Sequence, residues 1–142
     1  MTNSATASLL LWFALLPVHS SQDELGKITK IYVQGESPAA AQVRAKLENG
    51  FQCLELAPER KGAEAVLQIH ASETGALGML GEKKNFALVS GLLVNSFGAH
   101  LWDFTQRTPG SGIERAVDAV LKKLARDCDC KKRLKAKKNS PW

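Results

Sequence analysis

The sequence predicts an α+β domain, with two helices packed on one face of a five-stranded mixed sheet in the order β-α-β-β-β-β-α, and three stretches carry that expectation. Phe86 to Phe104 reads as two long strands folded back through Asn95-Ser96-Phe97-Gly98, because Val, Leu and aromatic residues fill both arms while Asn and Gly tolerate the positive φ of a tight turn. Ile113, Val117, Val120, Leu121 and Leu124 recur at helical spacing and form a stripe that must lie on a sheet. Between Lys27 and Leu56 a strand, a helix and a strand follow one another, and two strands joined through a helix run parallel by a right-handed crossover. A chain of 142 residues has room for one such core.

The first twenty residues carry no charged side chain, and Leu9 to Val18 is a continuous apolar run shorter than the roughly 20 residues that span a bilayer. With the small residues Val18 and Ser20 at the −3 and −1 positions, residues 1 to 20 are expected to be an export signal, cleaved after Ser20. No Cys follows the run, so a lipid has no acceptor there. Residues 21 to 26 form a polar lead-in, residues 27 to 130 the domain, and residues 131 to 142 a basic, disordered tail.

Within the domain, Lys27 to Val33 alternates as a first strand, and Ser37-Pro38 opens a helix with a side-chain cap before a residue that needs no N–H there. Ala40, Val43 and Leu47 give that helix its apolar stripe, and Asn49-Gly50 stops it. Phe51 to Leu56 is expected as the second strand and Ala65 to Ala71 as the third, the latter with Leu67, Ile69 and Ala71 on one face and Gln68 and His70 on the other. The glycines of Gly75 to Gly81 are expected to interrupt the sheet before the hairpin. In the hairpin's first arm, Phe86, Leu88, Leu92 and Val94 alternate with Ala87, Val89 and Leu93, a pattern suited to a strand covered on both sides. Ser111 and Glu114 have the spacing of a capping box for the last helix, whose final turn carries Lys122, Lys123 and Arg126 against the negative helix end.

The net charge of +5 is unevenly placed. Lys131, Lys132, Arg133, Lys135, Lys137 and Lys138 contain no acid among them, and without them thirteen basic residues face fourteen acidic ones. The folded part is therefore near neutral, and contact with an anionic lipid, polymer or nucleic acid falls to this tail, with a steep salt dependence. No feature indicates a sequence-specific nucleic-acid partner. Three cysteines remain, Cys53, Cys128 and Cys130, so one is left over in any pairing. A bridge from Cys53 to Cys128 or Cys130 would tie the end of the last helix to the sheet, and a buried free Cys53 beside a frayed Cys-Asp-Cys end is the other reading.

His70 and His100 are separated by the intervening strand of a meander, which opposes a shared metal, and Cys128-Asp129-Cys130 offers two soft ligands beside repelling lysines. Cys53 lies among Phe51, Leu54 and Leu56, a setting that raises a thiol pKa rather than activating it. Gly75 to Gly81 has the spacing G-x-x-G-x-x-G, matches neither nucleotide-loop pattern, and no motif asks for a cofactor. Leu77, Met79 and Leu80 at that loop either fold onto the open sheet face or meet a partner, and they are the partner-contact candidates.

Ile28 to Val33, Gly50-Phe51, Ala63-Glu64-Ala65-Val66-Leu67, the turn from Val94 to Trp102 and the final helix together resemble small bacterial cell-envelope modules, those similar to the N-terminal domain of TolB and to the curli-secretion lipoprotein CsgG. The comparable segments there read as an Ala-Asp strand entry and an Asp-x-x-Gly-x-x-Leu-Trp hairpin, whereas this chain has Glu64 for the first Asp and Asn95 for the hairpin acid. The resemblance implies a non-enzymatic platform for a partner protein and brings no catalytic residue with it. The expectation is thus an exported, non-catalytic interaction or scaffold module, periplasmic or secreted, with no transmembrane span. Two other classes stay open: a secreted metal-binding or thiol-dependent enzyme using Cys53, Cys128, Cys130 and His70 or His100, and polyanion binding through the tail.

Overall fold

A computed structural model describes residues 21–77, 83–110 and 112–138. The proposed export signal, Met79, Leu80, Ser111 and the last four residues lie outside them. The elements in order are α1 (Ser21–Leu25), β1 (Lys30–Gln34), α2 (Pro38–Glu48), β2 (Glu55–Leu56), β3 (Ala65–Leu77), β4 (Lys83–Asn95), β5 (His100–Pro109), α3 (Ile113–Asp127) and α4 (Cys130–Lys138). The five strands form one sheet in the order β2-β1-β3-β4-β5, with β1 parallel to both β2 and β3 and the other pairs antiparallel. The α+β architecture and the parallel β1–α2–β2 unit match the sequence expectation.

The helical face of the sheet follows from register. Val33 lies beside Leu67, Leu67 beside Leu93 and Leu93 beside Trp102. All four are buried, together with Val43 and Leu47 of α2 and Val117, Val120, Leu121 and Leu124 of α3. An ion pair between Lys46 and Asp118 ties α2 to α3, so both long helices share this face. Gly91 of β4 lies under α3: a Cβ there would sit 3.3 Å from side-chain atoms of both Trp102 and Val120, so a larger residue would require those side chains to give by a few tenths of an ångström.

Trp102 and Leu101 are both buried although they are neighbours in a strand, which strict alternation forbids. A bulge opposite Leu93 and Val94 removes the conflict, because Val94 pairs with His100 and leaves Leu101 as the extra residue. The β4–β5 turn forms as its residues imply. Gly98 has φ +81°, its N–H donates to Asn95 O at 3.0 Å, and Asn95 Oδ1 accepts from Phe97 N and Ala99 N at 2.9 Å each. Ser37 caps α2, its Oγ accepting from Ala40 N at 3.2 Å.

Several expectations need correction. β3 does not stop at Ala71 but pairs with β4 through Thr74–Phe86 and Gly75–Asn85 to Leu77–Lys83, because an antiparallel ladder satisfies backbone groups whatever the side chains, glycine included. β4 is covered by helices on one face only; Phe86, Leu88 and Leu92 on the other face are half-buried, since α2 and α3 chose the same side. The second strand shrinks to Glu55–Leu56, and Cys53 lies in a tight turn closed by Phe51 and Leu54. The N-cap of α3 is Gly112, which makes no side-chain cap hydrogen bond, while Thr108 Oγ1 donates to Gly112 O at 3.0 Å; the expected capping Ser111 is not among the described residues. The lead-in is helical as α1, anchored by Leu25 in the core and by Asn95 Nδ2 donating to Glu24 Oε2 at 3.2 Å. The basic end, read as a solvated tail, is helical from Cys130 to Lys138.

Candidate functional site

The end of the sheet where β1 and β3 begin is also where α3 stops, and this is where the chain's charge gathers. Trp102 Nε1 donates to Asp127 Oδ2 at 2.8 Å and pins the last turn of α3 to β5, while Lys123 pairs with the other oxygen of the same carboxylate at 3.3 Å. Cys128 N–H then closes the helix on Leu124 O, and Asp129 takes φ +56° and turns the chain into α4. Asp tolerates that left-handed conformation better than most side chains, though not freely as glycine does.

A disulfide joins Cys53 to Cys130, with Cα atoms 5.1 Å apart. This chooses between the pairings the sequence left open. Cys128 remains free and buried, and Cys53 is not available as a nucleophile. Arg133, the third residue of the basic run, turns inward: Nη2 donates to Thr29 Oγ1 at 2.7 Å and Nη1 to Cys128 O at 3.3 Å. The bridge and the guanidinium together fix the first turn of a helix that buries only Cys130 and has no apolar face of its own.

Between the end of α3 and the start of α4 lies a cleft of about 690 Å³, lined by Phe104, Ala119, Lys122, Lys123, Arg126, Lys131 and Lys132 with Gln52 and Asp129. Ala119, Lys122, Lys123 and Arg126 follow one another at helical spacing, so one stripe of α3 forms a wall. Among the described residues only Lys123 of these five cations has an ion-pair partner. Gln52 and Asp129 are the only described non-glycine residues with positive φ; they flank the two bridged cysteines and both line the cleft. Left-handed backbone at such residues costs of order 1 to 3 kcal/mol and persists where its surroundings enforce it, often at functional sites.

The cleft therefore contains two of the tail cations named from sequence, Lys131 and Lys132. Arg133 is engaged elsewhere, and Lys135, Lys137 and Lys138 extend along the exposed remainder of α4. The sequence reading missed Lys122, Lys123, Arg126, Phe104 and Gln52. A signal was available in the Lys122–Arg126 spacing, which faces one side of the helix, followed across only four residues by a second basic pair.

Burial pushes the Cys128 thiol from its ordinary 9.0 up to about 11, an effect that Arg133 opposes and that Asp127 and Asp129 reinforce. The unfolded thiol thus ionises first as pH rises, so the contribution is intact below about pH 9 and is lost towards pH 11. From pH 8 to pH 10.5 the parent should therefore lose about 2 kcal/mol more stability than Cys128→Ala, read from the urea midpoints of both at the two pH values.

The remaining candidates stay apart. His70 is exposed on the open sheet face, beside a cleft of about 400 Å³ with Gln34, Glu36, Ser37 and Gln68. His100 opens β5 with Nε2 3.1 Å from Asp103 Oδ2, and β4 lies between the two histidines. Among the described residues no three His, Cys, Asp or Glu side chains gather as metal ligands, and no helix is long and apolar enough to cross a membrane. Leu77 ends β3; its side chain, like Met79 and Leu80, lies outside the described residues.

No protein-family model matches the chain, and none of the curated proteins matches it in sequence. Among solved structures it is similar to a PelC dodecamer from Paraburkholderia phytofirmans, with 20% identity over 79% of this chain and 90% of that one at a TM-score of 0.42. It is also similar to a minor lipoprotein from Acinetobacter baumannii, with 11% identity over 75% and 95% at 0.46, and to lipoprotein GNA1162 from Neisseria meningitidis, with 17% identity over 69% and 99% at 0.43.

Proposed function

We propose that this protein is an exported, non-catalytic binding module of the bacterial cell envelope, and that it holds an anionic partner in the cleft between α3 and α4. The observation that carries the reading is the convergence of Lys122, Lys123, Arg126, Lys131 and Lys132 from two helices around Phe104. Bringing like charges together disfavours the fold, and an anion in the cleft reverses the sign of that interaction. The disulfide supports export, because such bridges persist in oxidising compartments, and so does the signal-like start. The TolB-like and CsgG-like resemblance belongs to the same reading as a platform for partners.

The test uses inorganic polyphosphate as the probe in calorimetric titration. Lys122→Glu with Lys131→Glu should weaken binding by on the order of tenfold and flatten its salt dependence. Lys137→Glu with Lys138→Glu, at the far end of α4, should change it much less. The reverse ranking would return the binding to a tail independent of the cleft. Recovery of the protein only from the cytoplasm, with residues 1 to 20 intact, would overturn the export half of the proposal.

A further inference from the structure

Phe97 is 93% exposed, the most solvent-exposed large apolar side chain among the described residues. A single exposed apolar residue is ordinary on a protein surface. This one sits at a hairpin tip whose backbone is tied by Phe97 N and Ala99 N donating to Asn95 Oδ1, and its neighbours Ser96, Gly98 and Ala99 are too small to shield it. Register places it. Asn95 lies beside Ala65, Ala65 beside Ile31, and Lys30 beside Glu55, so the tip projects from the same end of the sheet as the Cys53 turn and the start of α4. The sheet is four strand spacings wide, roughly 20 Å. That end also exposes Lys27 and Lys30, together with Glu55 beside Lys30 and Glu64, which accepts from the N–H groups of Thr29 and Lys30, while Glu24 accepts from Asn95 Nδ2.

α4 supplies the second observation. Lys131 and Lys135, and Arg133 and Lys137, are like charges one turn apart, which weakens an isolated helix, and Leu134 between them is 42% exposed. A discrete protein interface would need large apolar neighbours around Phe97, and among the described residues its chain neighbours Ser96, Gly98 and Ala99 supply none. An isolated aromatic beside a field of lysines fits instead the boundary of an anionic bilayer, where the ring enters the interfacial layer and the ammonium groups meet lipid phosphates.

We infer that this end of the sheet is a membrane-contact surface: Phe97 enters the interface of an anionic bilayer while Lys131, Lys132 and Lys135 lie over its headgroups. The inference rests on the reading of an anionic partner and names that partner's class. The full chain, expressed with residues 1 to 20 in place and purified as the cell leaves it, is sedimented with phosphatidylcholine vesicles with or without phosphatidylglycerol. Binding should require phosphatidylglycerol, fall about fivefold in Phe97→Ala and fall about tenfold or more in Lys131→Glu with Lys135→Glu. Polyphosphate binding should be unchanged in Phe97→Ala. Equal binding of Phe97→Ala and parent to anionic vesicles, or equal binding to both vesicle types, overturns the inference. Polyphosphate binding without any vesicle binding does so too, and leaves the cleft proposal standing. Vesicle binding that depends on Phe97 without polyphosphate binding supports this surface and removes the cleft.

Discussion

Replacing both Cys53 and Cys130 with serine should lower the thermal midpoint by about 10 to 20 °C, read by circular dichroism against the parent. The bridge closes a loop between residues 77 apart, and a loop of that length removes enough unfolded-state entropy to stabilise the fold by about 4 kcal/mol. Both cysteines are replaced so that Cys128 has no nearby thiol to capture. A second consequence separates this bridge from a merely stabilising one. α4 buries little besides Cys130, so without the bridge its first turn is held by Arg133 alone, and Lys131 and Lys132 drift from the α3 wall. Polyphosphate affinity should therefore fall at temperatures where the variant is still fully folded. A midpoint within about 3 °C of the parent, with unchanged affinity, would mean that the helix and the cleft hold themselves together.

Trp102→Ala should destabilise the domain by about 3 to 5 kcal/mol in urea unfolding, among the largest effects open to one substitution here. The ring is buried against Leu93, Gly91 and Phe104, its centroid 6.2 Å from that of Phe104, and its N–H is bound to a carboxylate. Trp102→Phe separates the two contributions: it keeps most of the ring and loses the hydrogen bond to Asp127, and it should cost about 1 to 3 kcal/mol. Asp127 also holds Lys123, so Trp102→Phe should loosen the last turn of α3 and speed amide exchange there before it affects the middle of the helix. If Trp102→Phe is as stable as the parent, the carboxylate bond adds nothing net and α3 is fixed by its apolar stripe alone.

The large-scale fold was legible because it rests on local patterns. Val117, Val120, Leu121 and Leu124 announce a helix with one dry side, and Asn95 with Gly98 announces a turn, whatever the rest of the chain does. The errors fall where a partner strand decides. Gly75 has low strand propensity, yet β4 offers it a ladder; Phe51 to Leu54 looks like a strand, yet a left-handed Gln52 turns it into a loop. The candidate site was half legible, since Lys131 and Lys132 stand out as a basic run while Lys122 and Arg126 read as ordinary helix-end charges.

By itself the sequence determined the periodicities, the parallel β-α-β entry and the hairpin turn, because each is written in the pattern of one contiguous stretch of residues. Only the tertiary structure decided which cysteine bridges Cys53, which sheet face the helices cover, and that cations from α3 and α4 line one cleft. Those outcomes depend on distances between segments far apart in the chain, and such distances are set by packing, which no local pattern encodes.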